Sequence, residues 1–213
     1  MNSLLRYFWF FLIVKPLVLL IIGLGVRNRR VLFEFKPAII VANHNSHLDT
    51  MVLMTLFPIR WLKQVRPVAA ADYFLKNRLL TWFALKIIGI IPIERSAGKS
   101  RDELLAGCYE ALDRGEILIL FPEGTRGEPE ELATFKSGVA HLAERYHHVP
   151  IIPVFMHGLG KTLPRGECLP VPFFCDVVIG SPLYWEGSKS GLMNSLMDSV
   201  KNLSEQVNIP PWD

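Results

Sequence analysis

Seven short, β-rich apolar runs separated by stretches of helical periodicity constrain this chain more than any other feature. They lie at residues 31–35, 38–42, 68–71, 88–93, 117–121, 151–155 and 175–179. Strands alternating with helices favour a covered sheet, because each connecting helix must bury its apolar stripe against the strands it joins. Residues 73–87 are long and amphipathic, and Ser100-Arg101-Asp102-Glu103 has capping-box spacing for a helix that stops near Gly115. Another helix is expected over 138–146. Leu192, Leu196, Val200, Leu203 and Val207 recur at helical spacing before Pro210-Pro211, which predicts a helix docked on the core. The fold class this implies is α/β: a mixed, mainly parallel sheet covered by helices, with functional loops at strand ends.

An N-terminal appendage precedes that domain. Residues 7–26 read YFWFFLIVKPLVLLIIGLGV, with Lys15 their single charge, and about twenty apolar residues can cross a bilayer as a helix. Lys15-Pro16 divides the stretch into two short halves, which favours a helix pair that enters and leaves one leaflet over a single span. A cleaved signal peptide fits less well: no small-residue cleavage site is present, and Arg27, Arg29 and Arg30 follow directly. Those arginines suit anionic headgroups and place the next segment on the cytoplasmic side of an inner or cytoplasmic membrane. The expected division is 1–30 as membrane anchor and 31–213 as one further domain. A mean hydropathy of +0.28 agrees with membrane contact, whereas a net charge of +3 is too mild to imply nucleic acid as partner. Cys108, Cys168 and Cys175 are odd in number with no C-x-x-C spacing, which argues for reduced thiols rather than a disulfide framework or a zinc knuckle.

Asn43-His44-Asn45-Ser46-His47-Leu48-Asp49 follows the run 38–42 and precedes an apolar helical stretch, 50–57, so it occupies a strand-to-helix turn. Five residues apart on a regular helix, His44 and Asp49 would diverge; a turn lets them meet. Asp49 can then accept the Nδ1 proton of His44, leaving Nε2 to take a proton from an attacking alcohol. The start of a helix should keep Asp49 ionised. Asn43, Ser46 and His47 are candidates for helix capping or turn hydrogen bonds.

Three further segments carry polar chemistry. In Gly89-Ile90-Ile91-Pro92-Ile93-Glu94-Arg95, an apolar strand ends in a cation, Arg95, suited either to a phosphate or to a solvated edge. Phe121-Pro122-Glu123-Gly124-Thr125-Arg126 is more specific: Pro122 ends strand pairing, Gly124 permits a tight path, and Arg126 offers a bidentate fork to phosphate. Glu123 can hold a substrate hydroxyl, orient Arg126, or form a structural ion pair with it. Lys136 stands before the helix expected at 138 and is a secondary anion-site candidate. Val149-Pro150-Ile151-Ile152-Pro153-Val154 suits either an acyl groove or an edge strand. Between the first two segments, cations and rings including Arg60, Trp61, Lys63, Lys76, Arg78 and Trp82 suit a bilayer headgroup region or the phosphates of a thioester carrier.

Taken in order, these segments resemble the four motifs of the 1-acylglycerol-3-phosphate O-acyltransferase (lysophosphatidic acid acyltransferase) family of glycerolipid acyltransferases. N-H-N-S-H-L-D, G-I-I-P-I-E-R, F-P-E-G-T-R and V-P-I-I-P-V match over residues 31–158. The resemblance implies His44 as base, Asp49 as its partner, and a glycerophosphate site built from Arg95, Glu123, Gly124, Thr125 and Arg126, with Lys136 beside it. It further implies a lysophospholipid acceptor, a fatty acyl thioester of coenzyme A or acyl-carrier protein as co-substrate, membrane lipid as surroundings, and neither cofactor nor metal. Glycerol 3-phosphate, another lysolipid or a lyso-aminolipid are the alternative acceptors. A metal hydrolase with His44, His47 and Asp49 as ligands is the alternative of a different class, and it leaves the other three motifs unused.

Overall fold

The structure is a computed structural model that describes residues 2–46, 48–74, 77–94, 98–124, 133–162 and 173–207. A seven-stranded sheet runs in the order β1-β7-β6-β2-β5-β3-β4. The strands are β1 (Ile22–Arg27), β2 (Ala38–Ala42), β3 (Val65–Ala70), β4 (Ile91–Ile93), β5 (Ile117–Leu120), β6 (Ile151–His157) and β7 (Phe173–Ile179). All neighbours pair in parallel except β6 and β7, which are antiparallel. The mixed, mainly parallel α/β sheet expected from the alternation is therefore present. Central β2 and β5 are continuous apolar runs because both their faces are covered, whereas edge strand β1, IGLGVR, alternates inward apolar residues with exposed glycines.

The helices are α1 (Asn2–Trp9), α2 (Lys15–Ile21), α3 (Leu48–Thr55), α4 (Ala71–Phe74), α5 (Arg78–Trp82), α6 (Arg101–Asp113), α7 (Gly138–Arg145), α8 (Leu159–Thr162) and α9 (Lys189–Glu205). One face of the sheet packs with α1 to α3 through Phe10, Val14, Val18, Val52, Leu53 and Met54. The other packs with α6, α7 and α9, where Leu192, Leu196, Val200 and Leu203 dock as their spacing predicts. Ser100 and Glu103 form the reciprocal capping box of α6, and Gly115 (φ +70°) ends the turn that follows it.

The N-terminal apolar stretch is not one element. α1 leads into a π-helical turn, Phe10–Val14, and then α2, while Ile22 onward leaves the helix to form β1. Lys15-Pro16 makes no helix-turn-helix: Lys15 N–H reaches back to Phe10 O across the wide turn, and Pro16 sits in the first turn of α2, where a missing N–H costs little. Among the described residues no helix is long and apolar enough to cross a membrane. Arg6 is buried and donates to Val65 O at 2.9 Å; burial, with Arg66 nearby, lowers its pKa to about 10.

The strand expected at 31–35 is instead a 3-10 helix, Arg29–Phe33. Asn28, in the left-handed region (φ 58°), turns the chain out of β1, and the Phe33 ring packs edge-on against Phe57 and Trp61. Of the three arginines there, Arg29 donates to Leu56 O and Arg27 to Gln206 O, so both guanidiniums serve the fold. The long helix expected at 73–87 appears in its described part as α4, α5 and a π-helical turn, Phe83–Ile88. β6 is no edge strand, since it pairs with β2 on one side and β7 on the other. Pro153 is tolerated there because β7 pairing begins at Val154.

Candidate active site

Adjacent strands β2 and β5 send their helices to opposite faces, α3 to one and α7 to the other. Between their carboxyl ends lies a topological switch point, the place where parallel sheets open a crevice. Both polar turns begin there, one after Ala42 and the other after Leu120.

His44 Nδ1 lies 2.9 Å from Asp49 Oδ2. The same oxygen accepts the backbone N–H of Asn45 at 2.6 Å and of Ser46 at 2.8 Å. Asp49 is fully buried, and burial pushes its carboxyl pKa up, opposed by the bonds from His44, Ser46 and Asn45. Two amides of the preceding turn thus converge on this carboxylate, in addition to its place in the first turn of α3. With Nδ1 committed to Asp49, Nε2 of His44 is the nitrogen left to exchange a proton with a substrate. The imidazole also stacks on Phe121, with ring centroids 4.3 Å apart, so one face of the base is covered by apolar surface.

Glu123 comes to the same point from β5. Its Oε1 accepts the His44 backbone N–H at 3.3 Å, while Oε2 is buried with no hydrogen-bond partner among the described residues. Burial raises its pKa to about 7, and the Asp49 charge adds to that while His44 opposes it. Gly124 has φ +75°, a conformation that favours glycine, and the flexible Lys136 side chain passes beside it, with Nζ 2.5 Å from where a Cβ would stand. Lys136 is held by its own amide, which donates to Pro122 O at 2.8 Å. Of the residues proposed from sequence, His44, Asp49, Glu123, Gly124 and Lys136 are therefore brought to these joined turns; His47, Lys76, Arg95, Thr125, Arg126 and Cys168 lie outside the described residues.

Asn43, a capping or turn candidate from sequence, instead clamps across to a neighbouring strand. It pairs with both backbone groups of Met156 on β6, Nδ2 to O at 2.8 Å and Oδ1 from N–H at 2.7 Å. Asn45 Nδ2 reaches the same carbonyl at 3.1 Å. Asn43 continues the β2–β6 ladder with a side chain after the backbone has turned away, which fixes the His44 turn to a central strand. An asparagine directly after an all-apolar strand was the available signal. Among the described residues no three His, Cys, Asp or Glu side chains gather into a metal-ligand set.

A family model described as Acyltransferase matches residues 24–157. The chain is 30% identical over 175 residues to 1-acyl-sn-glycerol-3-phosphate acyltransferase BAT2, chloroplastic, of Brassica napus, covering 81% of this chain and 47% of that one. It is 32% identical over 190 residues to Taffazin of Dictyostelium discoideum, covering 80% and 64%. The chain thus spans about half to two thirds of the length of these curated relatives. Its fold is similar to the crystal structure of the 1-acyl-sn-glycerophosphate (LPA) acyltransferase PlsC from Thermotoga maritima, with a TM-score of 0.71, 19% identity and 98% of each chain covered.

Proposed function

The chain belongs to the acyltransferase family, and from that premise we propose that it moves a fatty acyl chain from an acyl thioester to the free hydroxyl of 1-acylglycerol 3-phosphate, giving phosphatidic acid for phospholipid synthesis. The observation that carries the chemistry is the His44–Asp49 pair, oriented by three donors on one carboxylate oxygen at the switch point. The hydroxyl gives its proton to His44 Nε2 as its oxygen bonds to the thioester carbon. The tetrahedral intermediate then breaks its C–S bond, and the departing thiolate recovers the proton from the imidazolium. A thiolate leaves readily, so a base plus positioning suffices and no acyl-enzyme is required.

Curated relatives carrying the 1-acyl-sn-glycerol-3-phosphate acyltransferase name support the acceptor. Its phosphate is assigned to Arg126, Thr125 and Arg95, with Lys136 beside Gly124, and coenzyme A or acyl-carrier protein carries the donor chain. The apolar N-terminal helices rest on a bilayer, with the catalytic turns on the cytoplasmic side. Mass spectrometry of products from a panel of acceptors and both thioester carriers tests this. Phosphatidic acid from lysophosphatidic acid is the expected product; faster turnover of glycerol 3-phosphate, another lysolipid or a lyso-aminolipid would reassign the acceptor, and release of free fatty acid alone would remove the transferase reading.

A further inference from the structure

The ladder between β2 and β6 ends at Ala42, opposite Val154, while β6 runs on to His157. Past that point the N–H and C=O of Met156 are met by the Asn43 side chain, which is 1% exposed. The amide fits only one way round. Its Nδ2 faces a carbonyl at 2.8 Å and its Oδ1 an N–H at 2.7 Å, so turning it over would set like groups against each other.

Asn45 places a second hold on the same carbonyl, Nδ2 to Met156 O at 3.1 Å, and its side chain too is buried. A carbonyl oxygen has two lone pairs, and the two asparagines use both. The Asn45 backbone serves the catalytic pair directly: its N–H donates at 2.6 Å to Asp49 Oδ2, the oxygen that also takes His44 Nδ1 at 2.9 Å. His44 thus lies between two residues that end on one atom of a central strand. From the β5 side, Glu123 Oε1 accepts its backbone N–H and Phe121 stacks on its ring.

Closing the end of a strand would need Asn43 alone, since that amide already gives Met156 both a donor and an acceptor. What Asn45 adds is a fixed place for the residue whose N–H holds Asp49. That matters for a base, which must sit within hydrogen-bond reach of the proton it takes; a displacement of about 1 Å can cost on the order of a hundredfold in rate. We propose that Asn43 and Asn45 are positioning residues, which set His44 and Asp49 relative to β6 through Met156 O and so aim His44 Nε2 at the acceptor hydroxyl. Neither asparagine touches substrate in this role, which rests on the reading of His44 as base, so the two amides act on the rate of transfer and not on binding.

The test compares wild type with Asn45→Ala, Asn43→Ala and His44→Ala. Steady-state kinetics use a short-chain, water-soluble lysophosphatidic acid with acyl-coenzyme A, and proton NMR follows the His44 Nδ1 proton bonded to Asp49. Asn45→Ala leaves Met156 O with Asn43, so Tm should stay within a few degrees of wild type while kcat falls about tenfold or more and both KM values stay within about twofold. The downfield Nδ1 resonance, identified by its absence from His44→Ala, should shift or broaden. Asn43→Ala also deprives the Met156 N–H of its partner and should lose more kcat together with some Tm. An unchanged kcat and resonance in Asn45→Ala would overturn the proposal, as would a loss confined to KM, which would set Asn45 against substrate. A fall in Tm and kcat with the resonance as in wild type would mean that the asparagines only hold the strand end. If His44→Ala turns over as fast as wild type, the reading of His44 as base fails and the proposal falls with it; an inactive His44→Ala beside an unaffected Asn45→Ala removes the proposal alone.

Discussion

Burial disfavours the charge on Asp49 and raises its pKa, and three donors converging on one oxygen oppose that cost. Removing the base by His44→Ala should abolish transfer, measured as product by mass spectrometry, with the circular dichroism spectrum unchanged; turnover near that of wild type would exclude His44 as the base. Asp49→Asn keeps the shape and the acceptor oxygen but loses the charge that stabilises imidazolium, so kcat should fall by about a hundredfold or more. Glu123 is less well supplied, with only the His44 backbone N–H reaching its Oε1 among the described residues. Its carboxyl is buried with one oxygen unpartnered among the described residues, and its pKa is raised to about 7. An acid whose folded pKa exceeds its unfolded one binds more protons in the native state, so it lowers stability as pH rises from about 4.5 through 7. Glu123→Gln should therefore raise Tm at pH 8, by roughly 1–2 kcal/mol of stability once solvent screening is allowed for, and far less at pH 5. A gain of equal size at both pH values would mean that ionisation is not the cause. The sequence made His44, Asp49 and Glu123 visible through residue type and spacing. It hid the Asn43 clamp because the partner is a backbone group at Met156, more than a hundred residues away, and carries no side-chain signature.

At the scale of elements, sequence patterns were legible wherever local chemistry decides the structure. The α6 start is one such place: Ser100 accepts the Glu103 N–H while the Glu103 carboxylate accepts the Ser100 N–H. Ser100→Ala should cost about 1 kcal/mol and lower Tm by roughly 2–4 °C, readable by thermal denaturation; no change would show that α6 is held by packing alone. The runs 38–42 and 117–121 were readable because strands covered on both faces must be continuously apolar. Where tertiary context overrides local preference, the reading slipped. Residues 31–35 are β-prone, yet Asn28 turns the chain and aromatic packing against Phe57 and Trp61 fixes a 3-10 helix. Residues 22–26 read as the end of the membrane stretch because Ile22, Leu24 and Val26 are apolar, while the alternating Gly23 and Gly25 were the strand signal. Those glycines admit their neighbours closely: a Cβ on Gly23 would lie 2.6 Å from the Phe174 ring, and one on Gly25 2.5 Å from Asp176 Oδ1.

At the scale of the whole molecule the N-terminus is part of the core, and this alters what a truncation can mean. An appendage that only anchors could be removed and leave a folded enzyme in solution. Here Phe10, Val14, Val18 and Ile22 belong to the main core, Arg6 is tied to β3, and β1 completes the sheet against β7. Burying each of the four apolar side chains contributes about 1.5–3 kcal/mol, so together they approach the 5–15 kcal/mol by which an ordinary domain is stable. Deleting residues 1–26 should therefore abolish cooperative thermal unfolding and leave an aggregating chain, not a soluble catalyst. The double variant Phe8→Ser with Phe11→Ser, confined to outward positions, should keep Tm within a few degrees of wild type. It should also reduce sedimentation with anionic vesicles and slow turnover of long-chain acceptors presented in them, while a short water-soluble acceptor is used as before. If the truncated chain instead melts cooperatively and turns over the short acceptor at the wild-type rate, the N-terminal helices are dispensable to the core and their packing contributes far less than its burial suggests.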